Sequence, residues 1–162
     1  MTTKNQRLKT LLVERALATP RQIEDAIART QGAGITWIED LLVNGILDEE
    51  TLCDAVAQAA CVQRCAPEAL VKVPKGILQA LPPDLAAEHR VVPIGIDADG
   101  DLHVVMLDPC DCIAIEETLF FANRPVVREA GTATAIAWAL HQHYGARSAL
   151  WPRAPRELAL AA

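Results

Sequence analysis

The side chains best suited to chemistry in this sequence are its five cysteines, its four histidines and a knot of carboxylates. Cys61 and Cys65, with Cys110 and Cys112, make two close pairs. Four thiolates so placed could in principle enclose a zinc ion. Neither pair has the C-x-x-C spacing of a zinc knuckle, however, and Cys61 continues the apolar face of a predicted helix. There a free cysteine packs as a small hydrophobe, so the expectation is no metal. His89 and His103 fall at predicted strand edges, and His141 and His143 on a late helix where they face solvent. Asp108, Asp111, Glu116 and Glu117 gather around a helix start, where the helix dipole favours negative charge. The sequence has no G-x-x-x-x-G-K-[ST] loop, no G-x-S-x-G elbow and no H-E-x-x-H, and its one serine is Ser148. These readings point away from an enzyme and call for no cofactor.

The composition narrows the partners. A formal net charge of −6 argues against nucleic acid, whose phosphates need a basic surface. No apolar run approaches the ~20 residues of a transmembrane helix, and residues 1–7 carry no apolar signal core. An odd number of cysteines suits a compartment where thiols stay reduced. The expected location is the cytoplasm, at the inner membrane only through a partner.

Four short helices are predicted over the first 60 residues. Leu8, Leu11, Leu12 and Ala16 recur at helical spacing, and Thr19-Pro20 then supplies an N-cap and a first-turn proline. Ile23, Ala26 and Ile27 stripe the second helix, and Gln31-Gly32-Ala33-Gly34 breaks the chain. Trp37, Ile38, Leu41 and Leu42 form the inner face of a third helix ended by Gly45. Asp48 caps a fourth that carries Leu52, Ala55 and Val56. An offset of 29 places Leu12 on Leu41, Ala16 on Gly45, Ile23 on Leu52 and Thr19 on Asp48. Asp25, Ala26 and Ala28 then fall on the identical Asp54, Ala55 and Ala57. The helical hairpin is an internal repeat.

Beyond Cys61 the pattern changes. Two proline-opened helices are predicted over 74–81 and 83–88. Val91 to Ile96 and Leu102 to Leu107, joined across Asp99-Gly100, form a β-hairpin. A helix follows from Asp111 to Asn123, with Ile113, Ile115, Leu119 and Phe120 as its apolar residues. Val126-Val127-Arg128 is a last strand, and Thr132 caps a final helix to Tyr144. The fold class is α+β: a helical subdomain at 1–62, an α/β subdomain with a three- to four-stranded sheet at 63–145, and a flexible tail at 146–162.

These pieces resemble a known family, the N-terminal domain of the hexameric ATPases that drive type II secretion and type IV pilus assembly. The resemblance runs from about Arg7 to Gly145. It rests on Arg7-Leu8 with Leu11 to Arg15, Leu41 to Leu47, Leu81 to Ala86 leading into His89 to Ile94, Leu102 to Met106 with Asp108-Pro109, and Ala139 to Gly145. It implies a docking domain, here without the ATPase core, whose partner is an inner-membrane platform or motility protein.

Some members of the family bind cyclic di-GMP through two such repeats, each opening with Arg-Leu-Gly, carrying a central glycine and ending in glutamine. That alternative function would use Arg7, Leu8, Leu12, Gln31, Leu41 and Gly45. Lys9, Ala16 and Thr30 depart from the pattern in the first copy, and Thr36, Trp37, Ile38 and Ala59 in the second. Losing one copy's arginine and glutamine removes the polar anchors for half of a symmetric ligand, so the dinucleotide is not expected to bind tightly. Trp37 is expected in the core, filling the groove together with Ile38. Exposed, it would be an interface anchor. Trp151 is a second candidate for the partner interface.

Overall fold

The computed structural model describes residues 6–147. The helical half comprises α1 (Gln6–Glu14), α2 (Pro20–Thr30), α3 (Trp37–Val43) and α4 (Glu49–Ala60). Its repeat is visible in the backbone. The Ala16 and Gly45 amides donate to the Val13 and Leu42 carbonyls at 3.0 Å, and those of Leu17 and Ile46 to Leu12 and Leu41 at 2.9 Å. Both turns need a left-handed residue, with φ of 55° at Ala16 and 67° at Gly45. Ala16 has the Cβ that glycine lacks, at a cost of roughly 1–2 kcal/mol. It therefore lies beyond the helix its spacing suggested. Thr19 and Thr36 each close a capping box, with Gln22 and Glu39, and Asp48 caps α4 through the Thr51 amide.

The rest of the chain builds a four-stranded sheet in the order β1-β4-β3-β2. The strands are β1 (Gln63–Arg64), β2 (Val91–Ile96), β3 (Leu102–Met106) and β4 (Val126–Ala130). The expected hairpin is β2 against β3, antiparallel, with an irregularity between Pro93 and Gly95. The last strand enters the middle of the sheet, parallel to both β3 and β1. Two residues of β1 carry no periodicity, so composition gave no sign of that strand. A 3-10 turn (Pro67–Leu70), α5 (Lys75–Leu78) and α6 (Pro83–His89) precede β2, while α7 (Cys112–Ala122) and α8 (Ala133–Tyr144) flank β4 in sequence.

Alternation along β2 and β3 sends side chains to two cores. Val91, Leu102, Val104 and Met106 pack with Leu81, Leu85, Ala114 and Ala122. Val92, Val105 and Leu107 join α8 and the helical half, including Leu8, Leu12, Ile38 and Leu41. Two polar ties reinforce that second junction. Arg90 Nε donates to Glu39 Oε1 at 2.9 Å, with Glu39 3% exposed, and Thr134 Oγ1 bonds to Glu49 at 2.7–2.8 Å.

Several local expectations need correction. Cys61 does not extend an apolar helix face; it is the exposed, left-handed cap of α4, with φ of 55°, where the chain turns toward β1. His89 ends α6 rather than edging a strand, and its Nε2 lies 2.7 Å from Glu117 Oε2. His141 and His143 are partly buried rather than free on a solvent face: their ring nitrogens meet the carbonyls of Ala146 at 3.2 Å and Leu70 at 2.7 Å. Thr132 precedes α8 without a side-chain cap bond.

Candidate functional site

The surface feature with the strongest claim to function is α7. It starts at Asp111, whose carboxylate accepts from the Ile113 and Ala114 amides, and ends at Asn123 in the left-handed region. Ala114, Thr118 and Ala122, spaced by four, face the sheet and are buried. This small-residue stripe brings the helix close and leaves its large residues outside. Ile113 is 41% exposed, Leu119 40%, Phe120 78% and Phe121 50%. The chain has only two phenylalanines, and both stand here, edge to face at 5.3 Å. Of the four apolar residues read from the sequence, only Ile115 turns partly inward.

Phe121 also lines a groove of about 720 Å³ with Leu78, Leu81, Pro82, Pro83 and Tyr144. The Tyr144 hydroxyl donates to the Leu78 carbonyl at 2.7 Å, which fixes one wall, and burial pushes its pKa up to about 12. The tyrosine therefore stays neutral and hydrogen-bonded across the physiological range.

A second cleft, of about 400 Å³, runs between the helical half and the α6–β2 junction. Trp37, Ile27, Ile38 and Leu107 line it, with Lys9, Gln31, Glu88, Arg90, Asp108 and Asp111 among its polar groups. Trp37 is half-buried rather than a core residue, with the Lys9 ammonium 5.8 Å from its ring centroid. Ile38 is the residue that fills the interior, at 1% exposed. Trp37, at the first position of α3, packs against the core only in part and leaves the cleft open beside it.

The structure scatters the six residues of the dinucleotide pattern. Leu8, Leu12 and Leu41 are 0% exposed and serve the core. Gln31 lines the Trp37 cleft, Arg7 lines a separate shallow groove between α1 and α4, and Gly45 is exposed in its turn. Trp151 lies outside the described residues.

The cysteines are free, and no three or more His, Cys, Asp or Glu side chains come together as a metal site among the described residues. Burial pushes the Cys65 thiol up to about 12, helped by the Glu129 carboxylate, and burial likewise raises Cys110. Both stay protonated at neutral pH, the form that neither attacks nor ligates. Among the carboxylates, Asp111 is a cap, Asp108 accepts from the Cys110 amide at 3.1 Å, and Glu117 pairs with His89.

The α7 surface escaped sequence reading because an apolar helix is ordinarily taken to bury its largest residues. The signal was the i, i+4, i+8 run of Ala114, Thr118 and Ala122, which marks the inner stripe.

Comparison with known proteins agrees with this architecture. The family model described as the MshEN domain matches residues 64–150. The type IV pilus assembly ATPase PilB of Thermus thermophilus is 25% identical over 145 residues, covering 89% of this chain but 16% of PilB. A structure of MshE with cdg shares the fold at a TM-score of 0.62 and 24% identity, covering 85% of this chain and 98% of that one. The N-terminal domain of XpsE superposes at a TM-score of 0.70 and 20% identity, covering 90% and 99%. No helix among the described residues is long and apolar enough to cross a membrane. With a match over more than half its length, in the same α+β fold, this chain belongs to the MshEN domain family.

Proposed function

We propose that this is a non-enzymatic docking domain of a type II secretion, type IV pilus or motility apparatus, working in the cytoplasm. Its partner is a protein, such as an inner-membrane platform or motility component. The observation that carries this reading is the outer face of α7, where Phe120 is 78% exposed beside a half-exposed Phe121. A contiguous aromatic surface of this kind is a mark of interaction sites, because leaving it wet forgoes burial worth roughly 1.5–3 kcal/mol per side chain. The family membership supplies the setting. A photo-crosslinking amino acid at position 120, introduced in the native host, tests the reading. Crosslinks to a component of such an apparatus are expected; the absence of any such product overturns it.

A second reading, cyclic di-GMP sensing, is favoured by one observation. The Ala16 and Gly45 turns keep the same left-handed backbone and the same hydrogen bonds, so the frame of the repeat persists although its polar anchors are lost. Titration calorimetry decides. One-to-one binding tighter than about 1 μM, lost in Arg7→Ala, would replace the docking reading with the sensor.

A further inference from the structure

We infer that the α7 face and the groove beside it receive an amphipathic helix from the protein partner, one whose apolar side chains are flanked by lysine or arginine. This rests on the docking reading above and specifies the partner's chemistry.

The shape argues for a helix. Ile113 and Phe120, seven residues apart on α7, lie along one line of its outer surface, and Phe121 turns from that line into the groove. The groove holds about 720 Å³, enough for several apolar side chains. Helical segments and proline-opened turns wall it, from α5, α6, α7 and the end of α8. The sheet's edges are β1 and β2, so an added strand has no backbone to pair with at α7. A helix laid in the groove with anchors at i, i+3, i+4 and i+7 fits such a surface.

The charge argues for basic flanks. Glu116 and Glu117 stand on α7 between Ile113 and Phe120, both exposed, and Asp84 is exposed where α6 begins beside Pro82 and Pro83. Lys75 is the lysine lining the groove, and the whole chain carries −6. An anionic lipid surface would be repelled. A second copy meeting this one about a two-fold axis would set like carboxylates against each other. A helix with lysine or arginine beside its apolar stripe meets the opposite sign on α7.

The test uses the full chain and fluorescein-labelled helical peptides of about 18 residues, read by anisotropy. One carries leucine at i, i+3, i+4 and i+7 with lysine elsewhere; a second replaces lysine by glutamate; a third scatters the leucines around the helix. The expected order is the ordered Leu/Lys peptide about tenfold tighter than either control. Phe120→Ser should weaken it about fivefold or more with an unchanged melting curve, since the side chain touches solvent. Glu116→Lys should narrow the preference for lysine over glutamate. Equal binding of the three peptides, or indifference to Phe120→Ser, overturns the inference. So does Phe120-dependent binding to anionic vesicles, or Phe120-dependent dimerisation in sedimentation, without peptide selectivity. If the peptides fail while position 120 still crosslinks to the apparatus, docking stands and the basic-helix assignment falls.

Discussion

Helices α7 and α8 flank the same sheet, yet they dispose of their large side chains in opposite ways. In α8, Ala133 and every residue from Ala135 to Leu140 are buried, so a run of small residues interrupted by Ile136 and Trp138 is enclosed on all sides. In α7 the buried stripe is Ala114, Thr118 and Ala122, while Ile113, Leu119 and both phenylalanines are exposed. Hydrophobicity summed over each helix would mark both as apolar and α7 as the more so. What separates them is the position of the small residues, which decides whether a helix spends its apolar area on the fold or keeps it for something outside. One helix is stability and the other is surface.

That contrast can be broken by mutation, starting with α8. Trp138→Ala should cost about 3–5 kcal/mol in urea denaturation, as for a large core aromatic, because the indole is 9% exposed and packs against His143. A loss below 1 kcal/mol would mean α8 is not the buried partner of the pair. At the entrance to α8, a Cβ on Gly131 would lie 2.5 Å from Val105 Cγ1. Val105 is fully buried and stiff at χ1, so Gly131→Ala should destabilise by about 1–3 kcal/mol through overpacking.

The α7 side predicts smaller effects, one of opposite sign. Thr118 is 0% exposed and its hydroxyl has no hydrogen-bond partner. Thr118→Val should therefore raise stability by about 1 kcal/mol, the penalty of an unmet buried hydroxyl; a loss would show that the hydroxyl is satisfied. Smallest of all, Phe120→Ala should shift the unfolding free energy by no more than about 0.5 kcal/mol. A cost near that of Trp138→Ala would mean the phenylalanine is part of the core, and the comparison would collapse.

The sequence carried most of the helical half because its signals are local. Thr19 and Asp48 cap as read, and the 29-residue offset reappears in matched turn hydrogen bonds. The β2–β3 hairpin was legible for the same reason, two apolar runs around Asp-Gly. The sheet order was not, since β4's place depends on pairings far apart in the chain. Burial of polar groups was equally opaque. Glu39 is 3% exposed because Arg90, 51 residues later, turns left-handed at the end of α6 and reaches back to it. For the candidate site, sequence reading named Trp37 and the leucines of the repeat. The fold assigned those leucines to the core and put the aromatic surface on α7, because only the packing of Ala114, Thr118 and Ala122 fixes that helix's rotation.

The central position of β4 sets a constraint in time as well as in space. β1 joins the sheet only through β4, with Gln63 paired to Glu129, so the strand that follows the helical repeat waits for a segment 66 residues downstream. Until Val126–Ala130 has been synthesised, the β2–β3 hairpin presents an open edge along β3, and α8, which shares a core with the helical half, is not yet in place. Contacts so distant make folding slow and late-committing, and the unpaired β3 edge is the segment most open to wrong partners in the interval.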